Sequence, residues 1–226
     1  MWLINSSIGR KVVMSVTGVA LILFLTFHMS MNVVALFSGE AYNMICELLG
    51  SNWYAVAATI ALAGLAVLHI GYAFWLTIQN KRARGTNKYA VEGKLDNVDW
   101  ASKNMLALGI VVLGGLLIHL YNFWWKMMAA ELFMGATAYD NPSPTNGYYF
   151  IQETFSQPVY VVLYLVWLAA LWFHLSHGFW SAMQTLGWNG KTWFCRWKLI
   201  GLIYTTVLMA GFAVVVLCFA ICHGCC

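Results

Sequence analysis

Charge is scarce in this sequence. Only 9% of the 226 residues are charged while 62% are hydrophobic, against roughly 25% charged in a soluble domain. So few polar residues cannot cover the surface of a soluble fold, so the composition excludes a globular soluble enzyme and points to the bilayer as solvent. A soluble insert is also absent, so the chain reads as a single membrane domain over 1–226. The first apolar run follows Arg10-Lys11 and lacks a small-residue cleavage site, so no cleavable signal peptide is expected. The net charge of +4 does not point to nucleic acid, because the basic residues gather in particular loops. The six cysteines make neither the paired C-x-x-C motifs of a zinc site nor the C-x-x-C-H of a c-type haem. The tail Cys222-His223-Gly224-Cys225-Cys226 reads first as a frayed helix end, with metal binding as the alternative.

What is present is a set of long apolar runs. A transmembrane helix needs about 20 mostly apolar residues, and five segments qualify: 12–36, 53–79, 104–128, 158–185 and 199–222. The expected fold is an all-α integral membrane bundle of five transmembrane helices. None has Lys, Arg, Asp or Glu at its centre; Lys126 lies near the end of the third, where its stem can snorkel. Pro158 suits the first turn of the fourth, where its missing N–H is not needed. Eleven of the twelve basic residues fall on the side of the N-terminus: Arg10 and Lys11, the six from Lys81 to Lys103, and Lys191, Arg196 and Lys198. The positive-inside rule then puts the N-terminus in the cytoplasm. Glu40, Glu47, Glu131, Asp140 and Glu153 fall on the other side, and the segment from Met134 to Gln157 reads as a loop that caps that face.

Five of the six histidines lie in spans: His28, His69, His119, and the pair His174 and His177. An ionisable group inside a bilayer is costly and calls for a partner or a job. One such histidine is explained by an interhelical hydrogen bond. Four successive helices each carrying one are not, and the spans offer no carboxylate to pair with them. A metal would take the imidazole lone pair and leave the second ring nitrogen for a backbone carbonyl. Helical rise puts His28 and His119 about 25 and 24 Å above the basic boundary, and His69 and His174 about 18 and 20 Å. That sorts an outer pair, His28 with His119, from an inner pair, His69 with His174. Two axial imidazoles are what a six-coordinate haem b requires, so two such haems are expected. Gly115 and Gly178 stand four residues from His119 and His174, on the same helical faces, where a porphyrin could approach the backbone, with ordinary close helix packing as the plain alternative. Helix five has no histidine before its tail and reads as structural.

At these residues the chain resembles the single-chain, five-helix, dihaem cytochrome b subunit of succinate dehydrogenase and fumarate reductase (b558 type). The resemblance rests on Ser7-Ile8-Gly9-Arg10-Lys11, Ser15-Val16-Thr17-Gly18, Phe27-His28-Met29 with Asn32, Leu68-His69-Ile70-Gly71-Tyr72, Ile118-His119-Leu120 and the run from Phe173 to Ser181. It implies His174 as the ligand within that run and His177 as a polar neighbour; the one-turn spacing alone leaves His177 as an alternative. It further implies a flavoprotein subunit with FAD and an iron–sulfur subunit docked on the cytoplasmic face, meeting the basic loops; Lys81, Arg82 and Arg84 are the first candidates for that contact, with a topology signal alone as the plain alternative. The chain would anchor them in a bacterial inner membrane and pass electrons between the iron–sulfur subunit and menaquinone. A dimer of such heterotrimers is the implied assembly. Some members carry a proton-conducting glutamate shortly before the helix-four ligand; here Ala169 to Phe173 contain no acid. Others place a glutamate for quinone chemistry near the start of helix two, where Glu47 is the first candidate and Glu40 the second, with solvated loop acids as the plain alternative. Two rival readings stand beside this one: the cytochrome b anchor of a hydrogenase or formate dehydrogenase, and a transporter or structural membrane protein without haem.

Overall fold

The computed structural model describes residues 6–84 and 100–222. Lys88, Lys94, His223, Cys225 and Cys226 lie outside the described residues. The elements in order are α1 (Ser7–Val34), α2 (Gly39–Leu48), α3 (Trp53–Arg84), α4 (Trp100–Lys103), α5 (Met105–His119), a π-helical turn (Leu120–Trp124), α6 (Met128–Met134), α7 (Gly147–Phe155), α8 (Pro158–Thr185) and α9 (Lys191–Cys222). No strand occurs among the described residues. Five helices are long and apolar enough to cross a membrane: α1, α3, α5 with its π turn, α8 and α9.

The helices begin where local chemistry permits, not where hydropathy begins. The Ser6 hydroxyl accepts from the Gly9 N–H at 2.9 Å and starts α1 ahead of Arg10 and Lys11. The apolar run was expected to open at residue 12, but helical hydrogen bonding needs no apolar surroundings. At the far end α1 stops at Val34, and Ser38 then caps α2 by accepting from the Ala41 N–H at 3.1 Å. Helix α9 likewise starts at Lys191, eight residues ahead of the expected Leu199. Its basic first turns are held by aromatic faces: Lys198 Nζ lies 4.7 Å from the Trp180 ring and Arg196 Cζ lies 5.3 Å from that of Trp193. The link from α8 to α9 is short because Gly187 takes φ +90°, a left-handed conformation that ends α8 sharply. Pro158 sits in the first turn of α8, as expected.

The segment expected to be a capping loop is partly helical. Asn146 accepts from the Tyr149 N–H at 3.1 Å and opens α7, whose Phe150, Ile151, Thr154 and Phe155 are buried. The i, i+4 spacing of these residues is an amphipathic pattern too short to be read as a span. Helix α7 packs on α2 and on α9, and Lys126 holds it from the π-turn side through Glu153 at 2.6 Å. Glu131 accepts from the Ser51 N–H at 3.1 Å. Helices α2, α6 and α7 thus form a cap on the bundle end opposite the basic residues.

Helix α8 is the hub. It packs most extensively on α9, then on α1 and α5. Between α8 and α9 lies the tightest core, with Phe219 and Thr205 fully buried and Leu208 at 2% exposure. Helix α3, by contrast, has substantial packing among the described residues only on α1. A space therefore remains between α1, α3, α5 and α8.

Candidate functional site

The space enclosed by those helices is a cavity of about 560 Å³ with a mostly apolar wall. All four helices turn their histidines into that wall: His28 from α1, His69 from α3, His119 from α5 and His174 from α8. The structure brings them together two by two. The rings of His28 and His119 stand 5.7 Å apart, centroid to centroid, with planes at 84°. Those of His69 and His174 stand 6.3 Å apart with planes at 68°. His177 borders the cavity one turn beyond His174, with its ring edge-on to Trp180 at 4.8 Å.

The two pairs differ in their surroundings. The capped-end pair sits in an aromatic box. Phe24 stacks on His28 at 5.4 Å, while Phe123 and Trp167 lie 5.1 and 5.6 Å from His119. Trp167 is anchored by its indole N–H, which donates to the Val112 carbonyl at 2.9 Å. Asn32 donates to the His28 carbonyl at 2.8 Å and accepts from the Tyr42 hydroxyl at 3.2 Å, tying α1 to α2. Ile151 and Phe155 of α7 border the cavity at this end, and Phe212, Val215 and Val216 of α9 complete its side. Helix α9, the fifth span, is thus structural and a wall at once. At the other pair, Thr17 Oγ1 lies 3.1 Å from His69 Nδ1, and Gly18 leaves room for the ring.

The glycines divide. Gly178 borders the cavity, and a methyl there would meet nothing within 4 Å. Gly115, expected to give a porphyrin access to the backbone, instead receives the Trp167 indole, into which a Cβ would project. The spacing from His119 correctly marked a close approach, but the group that approaches is a side chain of α8.

Glu47 and Glu40 are not brought to the histidines. Both line a separate cleft of about 680 Å³ between α2 and α7 on the outside of the cap. Thr17, Trp167 and Tyr164 border the two pairs and were missed as site residues. Their sequence signals were weak: one of several hydroxyls in the first span, and aromatics about two and three turns before His174.

Whether haem fits can be judged from these residues. An iron bonded at about 2 Å to a nitrogen of each of two imidazoles holds their centroids roughly 6 Å apart. The two observed spacings lie close to that. Nδ1 of His119 and of His174 is buried without a hydrogen-bond partner, a costly state for a ring nitrogen away from water. Among the described residues no three or more His, Cys, Asp or Glu gather as for a metal held by side chains alone. A porphyrin supplies four of the iron's bonds and asks the protein for two. The residues present fit the group.

Comparison with protein-family models, with curated proteins and with solved structures found no match. The geometry of the cavity therefore carries the functional reading by itself, with the sequence resemblance beside it.

The cap holds a thiol whose behaviour follows from its burial. Cys46 packs against Gly147, and burial pushes its thiol up from 9.0 to about 11, against hydrogen bonds from Tyr42 and Gly147 that pull it down. The folded cap thus favours the protonated thiol. That preference is fully present below pH 9.0 and is lost as pH rises through about 11. At pH 8, iodoacetamide should label Cys46 at least tenfold more slowly than the exposed Cys195, because the thiolate is the nucleophile. Equal labelling rates in single-cysteine variants would show that α2 and α7 do not close over it.

Proposed function

We propose that this chain is a transmembrane cytochrome b that binds two haems b, His28 and His119 holding one and His69 and His174 the other. The observation that carries the reading is the arrangement of four histidines, from four helices, as two facing pairs along one apolar cavity. Bound there, the haems supply reversible one-electron transfer between the two ends of the bundle. His28 with His119, and His69 with His174, would each hold one haem between two imidazoles, which would suit it to electron transfer and not to binding oxygen. The apolar wall excludes water. The aromatic box orients His119, and Thr17 orients His69.

The finer reading is that the chain anchors a succinate:quinone or quinol:fumarate oxidoreductase, exchanging electrons with menaquinone in the bilayer and with an iron–sulfur subunit whose flavoprotein partner carries FAD. The support for it is the sequence resemblance, foremost the run Phe173 to Ser181. The basic end, where Lys81, Arg82 and Lys103 are exposed, is the proposed cytoplasmic docking face. Charge there serves to orient docking, since exposed pairs contribute only about 0–1 kcal/mol each. Glu47 is the proposed proton acceptor for the quinone, in a cleft separate from the histidine cavity. His177 is proposed as a neighbour and not a ligand, because the ring that meets His69 is that of His174.

The test is optical. Purified protein assayed as the pyridine haemochrome should give about two haems b per chain, all low-spin. No haem, or haem that resists acid-acetone extraction, refutes the reading. Copurification with a large flavin-bearing subunit separates the succinate/fumarate assignment from a hydrogenase or formate dehydrogenase anchor, which would bring nickel or molybdenum.

A further inference from the structure

Of the four paired histidines, His69 is the one whose ring nitrogen meets a side-chain hydroxyl. Thr17 Oγ1 lies 3.1 Å from His69 Nδ1, whereas Nδ1 of His174, its partner across the cavity, is buried without any. Thr17 is itself buried, at 4% exposure, so water does not compete for its hydroxyl.

The direction of this hydrogen bond follows from counting protons. A threonine hydroxyl has one to give. Thr17 Oγ1 also lies 2.8 Å from the Val13 carbonyl and 3.1 Å from that of Met14. Carbonyls only accept, so the hydroxyl proton is committed to the backbone of α1, the usual arrangement for threonine inside a helix. What remains toward His69 is a lone pair, and His69 Nδ1 must then carry the proton and donate. The imidazole is thereby fixed with its lone pair on Nε2. Gly18 faces the same ring: a Cβ there would touch His69 Cε1 at 3.4 Å, so the ring lies close against α1.

We infer that Thr17 is a positioning residue that fixes His69 as its Nδ1–H tautomer and, by accepting that proton's hydrogen bond, makes Nε2 the more electron-donating ligand of its pair. The inference rests on the proposed haem ligation. An N–H that donates strongly leaves more negative charge on its ring, and such a ring stabilises ferric over ferrous iron. Thr17 therefore lowers the reduction potential of the haem at the basic end and leaves that of the capped end alone. The structure gives the two His pairs different second partners, and the two potentials should differ partly for this reason.

The test is redox titration of the purified full-length protein, with both haems followed optically, in Thr17→Val, Thr17→Ala and Thr17→Ser. At the wild-type midpoint of the basic-end haem, the ratio of reduced to oxidised haem should rise roughly threefold in Thr17→Val, the size of one modest hydrogen bond. The capped-end haem serves as internal control and should not move. Thr17→Ser restores the hydroxyl and should return the wild-type value. If Thr17→Val loses that haem, Thr17→Ala, which lacks the hydroxyl without added bulk at the ring, gives the same reading. Unchanged potentials in both hydroxyl-less variants overturn the inference, and so does a Thr17→Ser shift as large as that of Thr17→Val. Wild-type protein with no haem at all would instead overturn the proposed function, so the two failures are distinguishable.

Discussion

Replacing His28 or His119 with alanine is expected to remove one and the same haem, and replacing His69 or His174 the other. Each single variant should retain about one haem per chain, because one imidazole holds haem poorly in a site built for two. The retained haem should keep the spectrum and potential it has in the wild type. The expectation rests on the facing geometry, 5.7 Å for the first pair and 6.3 Å for the second. Crossed results, with His28 grouping with His174, would contradict it. So would loss of a haem in His177→Ala with both retained in His174→Ala. The measurement is haem content and potentiometry of five purified variants, and the effect, loss of half the cofactor, is too large to be hidden by variation between preparations.

Gly115→Val is expected to damage the capped-end site alone. A side chain at this position projects into the Trp167 indole, whose N–H is tethered to the Val112 carbonyl at 2.9 Å. The indole cannot yield without losing that hydrogen bond, and it lies 5.6 Å from the His119 ring. Overpacking of this kind costs about 1–3 kcal/mol and on occasion more. The expected result is a lowered thermal midpoint with loss of the His28–His119 haem, while the other haem persists. Gly64→Val is the control, since a Cβ there meets nothing within 4 Å. Adding Trp167→Phe to Gly115→Val should recover part of the loss by removing the larger ring. Retention of both haems in Gly115→Val would mean that Trp167 does not support His119.

Much of the site could be read from the sequence because the bilayer makes each polar group in a span conspicuous. Four histidines in four successive apolar runs needed no structure to be singled out, and counting helical rise from the basic boundary sorted them into the groups that face each other. The count works because rise per residue is fixed and the helices alternate in direction. What rise cannot supply is rotation: which face of α1 meets which face of α3. The contact of Thr17 with His69 depends on that register and so was out of reach, although Thr17 was visible as a hydroxyl in an apolar helix. At Gly115 the same limit left two readings open, a porphyrin or close helix packing, and the structure shows the second. A missing side chain announces a close approach but not the identity of what approaches. Charge misled the boundaries, since Lys191, Arg196 and Lys198 lowered the hydropathy of turns that α9 includes. The helix α7 escaped because nine residues are too few for a span and its Asn146 cap looks, in sequence, like any turn residue.

The uneven attachment of α3 bears on how such a protein is made. Helices α1, α5, α8 and α9 form a connected frame through α8, whereas α3, among the described residues, is packed substantially on α1 alone. A chain so built can finish entering the bilayer before its interior is filled. On the proposed reading, the frame would form from neighbours that pack on one another directly, and α3, held along one edge, would gain a second attachment when haem links His69 to His174. On the proposed reading, haem delivery comes late in biogenesis, and α3 is the part of the unloaded protein most open to membrane proteases. Cells starved of haem would then accumulate fragments cut near or within α3, not chains arrested in insertion.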